Sequence, residues 1–396
     1  MSFALLWINA IIARYTKRGL FASFGVDFAH YFSQTTVFWS IGPDSMYSLA
    51  ALNGIYQQLL EAYSPSRAGE LASPVPYLPL YAWLFTPFTI PSPPIGFAIW
   101  DGLSLLAGCY LVWQAAQLFP KDEQACGTLL ILVSFPFVYC LYVGQPMIFM
   151  ACAVAGCYRS LRLGHDFRAG LWTAFLLFKP NYGLLLGLLL IYKGRWRAVA
   201  GAVVGGVLVV GGSILVAGLP TVLAYPASLQ EHARFRSGSE EDMVNWLSII
   251  LELRPGIGDF KGMLLEQFLN VVTVLGVAFA WRGPWKPDAP NFPIQFTLVI
   301  LATLIANHHS FNYGAVLLAL PLASAMAEGQ LSRFSRLTVI AGIILPTLSF
   351  TVMAFIDPSR ASRILAYLLL VCLGSLSAEL WWRSQQMDKR PVEARA

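Results

Sequence analysis

Charge is scarce in this 396-residue chain: 12% of its residues are Asp, Glu, Lys or Arg, against roughly 25% in an ordinary soluble domain. Hydrophobic residues make up 57%, mean hydropathy is +0.62, and apolar runs near the length of a bilayer crossing recur. These values exclude a soluble globular domain. The net charge of +5 is scattered singly or in short groups between apolar runs, which excludes a nucleic-acid surface and leaves orientation signals. Cysteine is also sparse. Cys109, Cys126, Cys140, Cys152, Cys157 and Cys372 lie in or beside apolar segments, with no CxxC and none in the long polar loops, so they read as buried thiols rather than a disulfide framework. No P-loop, GxGxxG, GxSxG or HExxH is present, which argues against ATP-driven transport, dinucleotide chemistry, serine hydrolysis and zinc proteolysis. Internal repeats and low-complexity tracts are lacking too.

What is there is a succession of apolar runs, at about 95–118, 125–143, 146–161, 169–192, 198–219, 263–281, 294–307, 313–327, 336–356 and 362–382. With two doubtful segments near the start, they predict an all-α polytopic membrane protein of about 10–12 transmembrane helices, one membrane domain over 1–396. Met1 to Ala13 is apolar, but Arg14, Lys17 and Arg18 follow it rather than precede it, so it reads as a short first membrane segment and not a cleavable signal. The first polar stretch, 14–76, holds two segments suited to interfacial helices: Phe28 to Ser40, and one capped by Asp44 or Ser45 that runs to Tyr63. A second large loop is expected at 220–262.

Lys and Arg in short loops set the orientation. Lys193, Arg195 and Arg197, then Arg282 and Lys286, Arg333 and Arg336, and the tail with Arg383, Lys389 and Arg390 all fall on the cytoplasmic side of one alternating scheme. Asp27, the 220–262 loop and the His308-His309 loop then lie outside the cytoplasm. Arg159, Arg162 and Arg168 fall on the wrong side in that scheme: either their loop breaks the rule, or one segment does not cross.

Four groups of residues could carry chemistry. Asp27, in Phe24-Gly25-Val26-Asp27-Phe28-Ala29-His30-Tyr31-Phe32, is a lone carboxylate among aromatics. It could act as a general base or simply cap the helix that follows. His30, three residues on, shares a helical face with it. Lys179 sits within an apolar run, where a cation costs roughly 2.5–3.5 kcal/mol and so faces a cavity or a partner. Pro180 beside it would open the helix. A lipid phosphate, or an internal ion pair with Asp101 or Glu266, would serve that cation. His308 and His309 could donate to phosphate or assist proton transfer; on a helix they would point about 100° apart. They lack the companion ligands a zinc site needs, so no metal is expected. The aromatics of the first loop, Tyr31 among them, suit sugar stacking or an interfacial belt equally.

In order along the chain, Asp27-Phe28-Ala29-His30-Tyr31-Phe32, Gly42-Pro43-Asp44-Ser45-Met46-Tyr47, Tyr77-Leu78-Pro79-Leu80-Tyr81, Thr86-Pro87-Phe88, Gly144-Gln145, Ala169-Gly170, Lys179-Pro180, Arg195-Trp196-Arg197-Ala198, Asn245-Trp246-Leu247-Ser248 and His309-Ser310-Phe311-Asn312-Tyr313 resemble glycosyltransferase family 87. These are bacterial polyprenol-phosphate-mannose-dependent mannosyltransferases of the membrane superfamily C. The family's usual Asn after Gly-Gln is replaced here by Pro146. The resemblance implies an extracytoplasmic active site in the bacterial plasma membrane, Asp27 as base, and Lys179 with His308 or His309 at the donor phosphate, with His30, Tyr31 and Gln145 as further substrate contacts. It also implies that a lipid-linked sugar such as polyprenyl-phosphate-mannose is the donor, that no cofactor is required, and that the partners are this donor, a lipid or glycan acceptor and membrane lipids. The competing expectations are a transporter or flippase for a lipid-linked or polyol substrate, and a ligase that moves a larger lipid-linked glycan.

Overall fold

Proline and glycine set where the helices of this chain start, bend and stop. The computed structural model describes residues 25–73, 75–234, 242–353 and 358–388; the expected first membrane segment, Met1 to Ala13, lies outside them. Among the described residues the regular structure is helical, with no strand and one isolated bridge between Met243 and Phe311. The chain is an all-α polytopic membrane protein. Among the described residues, four helices are long and apolar enough to cross a bilayer: Pro93–Ala116, Trp196–His232, Asp259–Ala280 and Ala361–Ser384. Gln124–Leu132 and Phe135–Val143, bent by 43°, together could make a fifth. By its contacts the chain forms two compact units, one of residues 1–107, 139–146 and 205–237 and the other of residues 108–138, 147–204 and 238–396.

In the first unit, helix Val26–Ser40 follows Gly25, a left-handed N-cap with φ 61°. It turns Phe28, Tyr31, Phe32 and Phe38 into the core, where the Phe28 ring lies 5.4 Å from Phe85 and 5.3 Å from Phe97. Gly42 and Pro43 then impose a 3-10 turn over Pro43–Ser45, so the next helix, Leu49–Tyr63, is capped by Ser48 rather than by Asp44 or Ser45. Asp44 instead accepts a 2.8 Å hydrogen bond from Thr221. Residues 220–234, expected as loop, are helical. Gly218 breaks helix Trp196–Arg234 with φ 80° and ψ 160°, and Pro220 restarts it near an N-terminus, where a missing N–H costs nothing.

In the second unit, several expected spans prove to be half-length pieces. Residues 169–192 are broken into Asp166–Phe175, two 3-10 turns and Leu184–Tyr192. The break falls at Lys179, whose backbone is non-helical, and at Pro180, which cannot continue a helix from the residue before it. The two ends of this segment meet: Arg195 pairs with Asp166, and Gly170 and Gly201 let its first helix lie against the next one. A Cβ at either glycine would fall within about 2 Å of a carbonyl oxygen, 1.9 Å from that of Ala198 or 2.0 Å from that of Phe167. Residues 166–195 are therefore a re-entrant hairpin with Lys179 at its tip. The span expected at 169–192 does not cross.

The basic loops close the same end of this unit. Arg162 donates to the Pro287 carbonyl at 2.6 Å and pairs with Glu328 at 3.3 Å. Lys193 donates to the carbonyls of Trp281 and Gly283, both at 2.6 Å. Arg383 donates to Gly329 at 2.8 Å and to Asn291 at 2.9 Å. The 159–168 loop thus lies with the loops at 193–197, 281–287 and 328–333, and its arginines cease to be an exception. From that end, helix Asn291–Ile305 rises 15 residues to the histidine loop, and the 3-10 helix Asn312–Leu318 and helix Ala319–Glu328 return. At 1.5 Å per residue, the rise is roughly 22 Å.

Candidate functional site

Two clusters hold the residues singled out from the sequence, one in each unit. In the first, Asp27 is the second residue of its helix. The N-cap position belongs to Gly25, which has no side chain to cap with, and the helix N-terminus favours the negative charge of Asp27. Its Oδ2 accepts a 2.7 Å hydrogen bond from Nε2 of Gln145, a buried side chain 118 positions away. The turn that presents Gln145 is tied to the start of the helix. Gly25 N–H donates to the Tyr142 carbonyl at 2.9 Å, and Trp100 Nε1 donates to that of Gly144, also at 2.9 Å. Gly144 has φ +79°, and a Cβ there would sit 2.7 Å from that of Phe28, so glycine is required both by the backbone and by the space.

His30 stacks on Tyr56, ring centroids 4.5 Å apart. Burial pushes its imidazole down to about 4, with Arg67 adding to the effect and Glu70 opposing it, so the ring is neutral near pH 7. Arg67 grips Glu70 through two bonds, Nε at 2.9 Å and Nη2 at 2.5 Å. That hydrogen-bonded pairing is the main cause holding the Glu70 carboxyl below its ordinary value. Tyr31 is buried, its hydroxyl 3.3 Å from that of Tyr77, in a ring cluster with Tyr81 and Phe85. Tyr31 is core in this arrangement; Tyr56 is another of the first-loop aromatics suited to sugar stacking, and Arg67 is the neighbour that the sequence did not single out.

In the second unit the hairpin tip meets the histidine loop. Lys179 Nζ lies 4.9 Å from the ring centroid of Tyr313 and 5.8 Å from that of Tyr182, a cation–π setting. Asn181 Nδ2 reaches Asn307 Oδ1 at 3.2 Å and the His309 carbonyl at 3.3 Å, and the Tyr182 hydroxyl reaches the same carbonyl at 3.4 Å. Asn245 latches the loop from a third side: its Nδ2 donates to the carbonyls of Asn307 at 2.7 Å and His308 at 3.0 Å. The His308 and His309 rings meet edge to face, centroids 5.0 Å apart and planes at 88°, because the pair sits on a turn rather than on a helix that would point them about 100° apart. Nδ1 of His308 lies 2.9 Å from Oε1 of Glu266, so that acid serves the histidine loop.

Glu266 escaped the sequence reading as a site residue although it carried the same signal as Lys179, an ionisable group in an apolar run. Asn245 was visible only as part of a motif. Next to the loop's returning helix lies a cavity of about 290 Å³, lined by Ile131, Pro136, Val316, Ala319 and Ala323 and, at its polar points, by Glu123 and Arg336. Among the described residues no three His, Cys, Asp or Glu side chains come together as a metal ion would need.

Residues 76–321 match glycosyltransferase family 87. The chain belongs to that family. It is a membrane glycosyltransferase, using a sugar donor and an acceptor. The match takes in Gln145, Lys179, His308 and His309 and begins downstream of Asp27, His30 and Tyr31. No curated protein and no solved structure matches the chain.

Proposed function

We propose that this glycosyltransferase moves a hexose, mannose by family resemblance, from a polyprenyl-phosphate donor to a hydroxyl of a lipid or glycan acceptor. The transfer takes place with inversion at the extracytoplasmic face of a bacterial plasma membrane. Asp27 accepts the proton of the acceptor hydroxyl as that oxygen bonds to the anomeric carbon. The bond from the anomeric carbon to the phosphate oxygen breaks, and polyprenyl phosphate leaves. One carboxylate suffices, because the departing phosphate needs charge stabilisation rather than a proton. Lys179 and His308 supply that stabilisation.

The observation that carries the donor class is the hairpin tip: a lysine held on tyrosine faces beside a histidine loop. A phosphate is the anion such a cluster suits. The apolar cavity of about 290 Å³ beside the returning helix supports an isoprenoid chain attached to that phosphate. The orientation rests on the basic loops sharing one end, which is the cytoplasmic end under the positive-inside rule.

The test is Asp27→Asn in proteoliposomes supplied with a radiolabelled polyprenyl-phosphate hexose. Loss of a positioned general base should slow transfer by about 10²–10⁴-fold while the protein stays folded. Transfer at the wild-type rate would remove Asp27 from the mechanism.

A further inference from the structure

A carboxylate inside an apolar helix is costly unless a partner holds it. Glu266 lies in Asp259–Ala280, one of the bilayer-length helices, and is 3% exposed. Its partner is the imidazole of His308, at 2.9 Å through Nδ1, and that side chain is 39% exposed. The backbone beneath the ring is fixed independently. Asn245 holds the carbonyls of Asn307 and His308, the Val244 amide donates to the Ser310 carbonyl at 2.7 Å, and Asn181 holds Asn307 and His309. With the loop pinned and Nδ1 held against a buried carboxylate, the ring plane is set. Nε2, on the other side of the ring, is the atom left for a ligand.

A phosphate ester oxygen accepts hydrogen bonds, so Nε2 can meet it only as N–H, which requires the doubly protonated ring. We propose that Glu266 is a positioning residue: it holds His308 as an imidazolium, balances the ring's charge from behind, and directs Nε2–H at an oxygen of an isoprenoid phosphate. This rests on the reading that the loop meets the donor phosphate. It adds a residue 42 positions away whose charge, and not only its hydrogen bond, matters for binding.

The experiment uses the full chain and farnesyl phosphate as probe, with binding read by tryptophan fluorescence and transfer measured separately. Glu266→Gln keeps the shape and the acceptor oxygen but loses the charge; it and His308→Gln should each weaken binding about tenfold, and the double variant no further, since both act through one ring. The KM for the lipid-linked donor should rise in step, with kcat changed less. Glu266→Asp, which keeps the charge one methylene farther back, should lose less; if Glu266→Gln does not fold, Glu266→Asp replaces it in the cycle. Wild-type affinity in Glu266→Gln, or losses that multiply in the double variant, would overturn the proposal. Farnesyl phosphate binding with the expected dependence but no glycosyl product from the wild-type chain would overturn the transfer reading and leave this pair standing. Normal transfer with an unchanged donor KM in Glu266→Gln would do the reverse.

Discussion

His30 and Gly144 are two positions where one side chain, or its absence, sets the chemistry around Asp27. His30 has its folded pKa lowered from 6.5 to about 4 by burial, with Arg67 contributing, so the unfolded chain takes up the proton more readily. The stability this contributes is complete above about 6.5 and is lost as pH falls towards 4. His30→Phe keeps a ring against Tyr56 and removes the titration, and Nδ1 has no hydrogen-bond partner among the described residues to lose. Thermal unfolding at pH 7.5 and 4.5 should therefore show a smaller acid-induced drop in Tm for His30→Phe than for the wild type; an equal drop would mean that His30 does not titrate there. At Gly144, alanine would place a Cβ 2.7 Å from Phe28 at φ +79°. Overpacking of that kind costs about 1–3 kcal/mol, and moving the turn also moves Gln145 away from Asp27. Gly144→Ala should lower the unfolding midpoint and transfer together, and a variant that is destabilised but fully active would separate the turn from the site.

At the scale of elements, the re-entrant hairpin 166–195 is the piece that most changes how the protein is arranged. Its halves are too short to cross: Asp166–Phe175 has 10 residues, a rise of roughly 15 Å at 1.5 Å per residue. The Asp166–Arg195 pair and the crossing at Gly170 and Gly201 bring both ends to one side. Leu163→Cys and Arg197→Cys, each introduced into a chain lacking the native cysteines, should react with a membrane-impermeant maleimide from the same side of sealed vesicles. Labelling from opposite sides would restore a crossing helix at 169–192 and break the hairpin. The design reason for such an element is physical. A lysine near the middle of a continuous helix would face hydrocarbon or a neighbouring helix, whereas at the tip of a broken one its ammonium lies over the Tyr182 and Tyr313 rings with freed backbone groups around it.

For the whole molecule, membrane character and helical class were readable without any structure, because hydropathy is a property of local composition and a bilayer leaves helices as the only way for such runs to satisfy their backbone. The positions of Asp27, Lys179 and the His308-His309 pair were readable too, since an ionisable or imidazole group amid apolar residues stands out one residue at a time. What a run of apolar residues does not carry is whether it crosses. Residues 169–192 have the composition of a span, yet they form two half-length helices that turn back, because the run breaks at Lys179-Pro180 and the Asp166–Arg195 pair ties together ends that composition would have sent to opposite faces. Nor does local sequence carry partners. Gln145 reaches Asp27 across 118 positions and Glu266 reaches His308 across 42, contacts that exist only once helices have packed. The sequence by itself determined the solvent this protein lives in and the residue types that could act. The tertiary structure decided which segments turn back and which buried acid stands behind which base, since those depend on non-local packing and not on any stretch read alone.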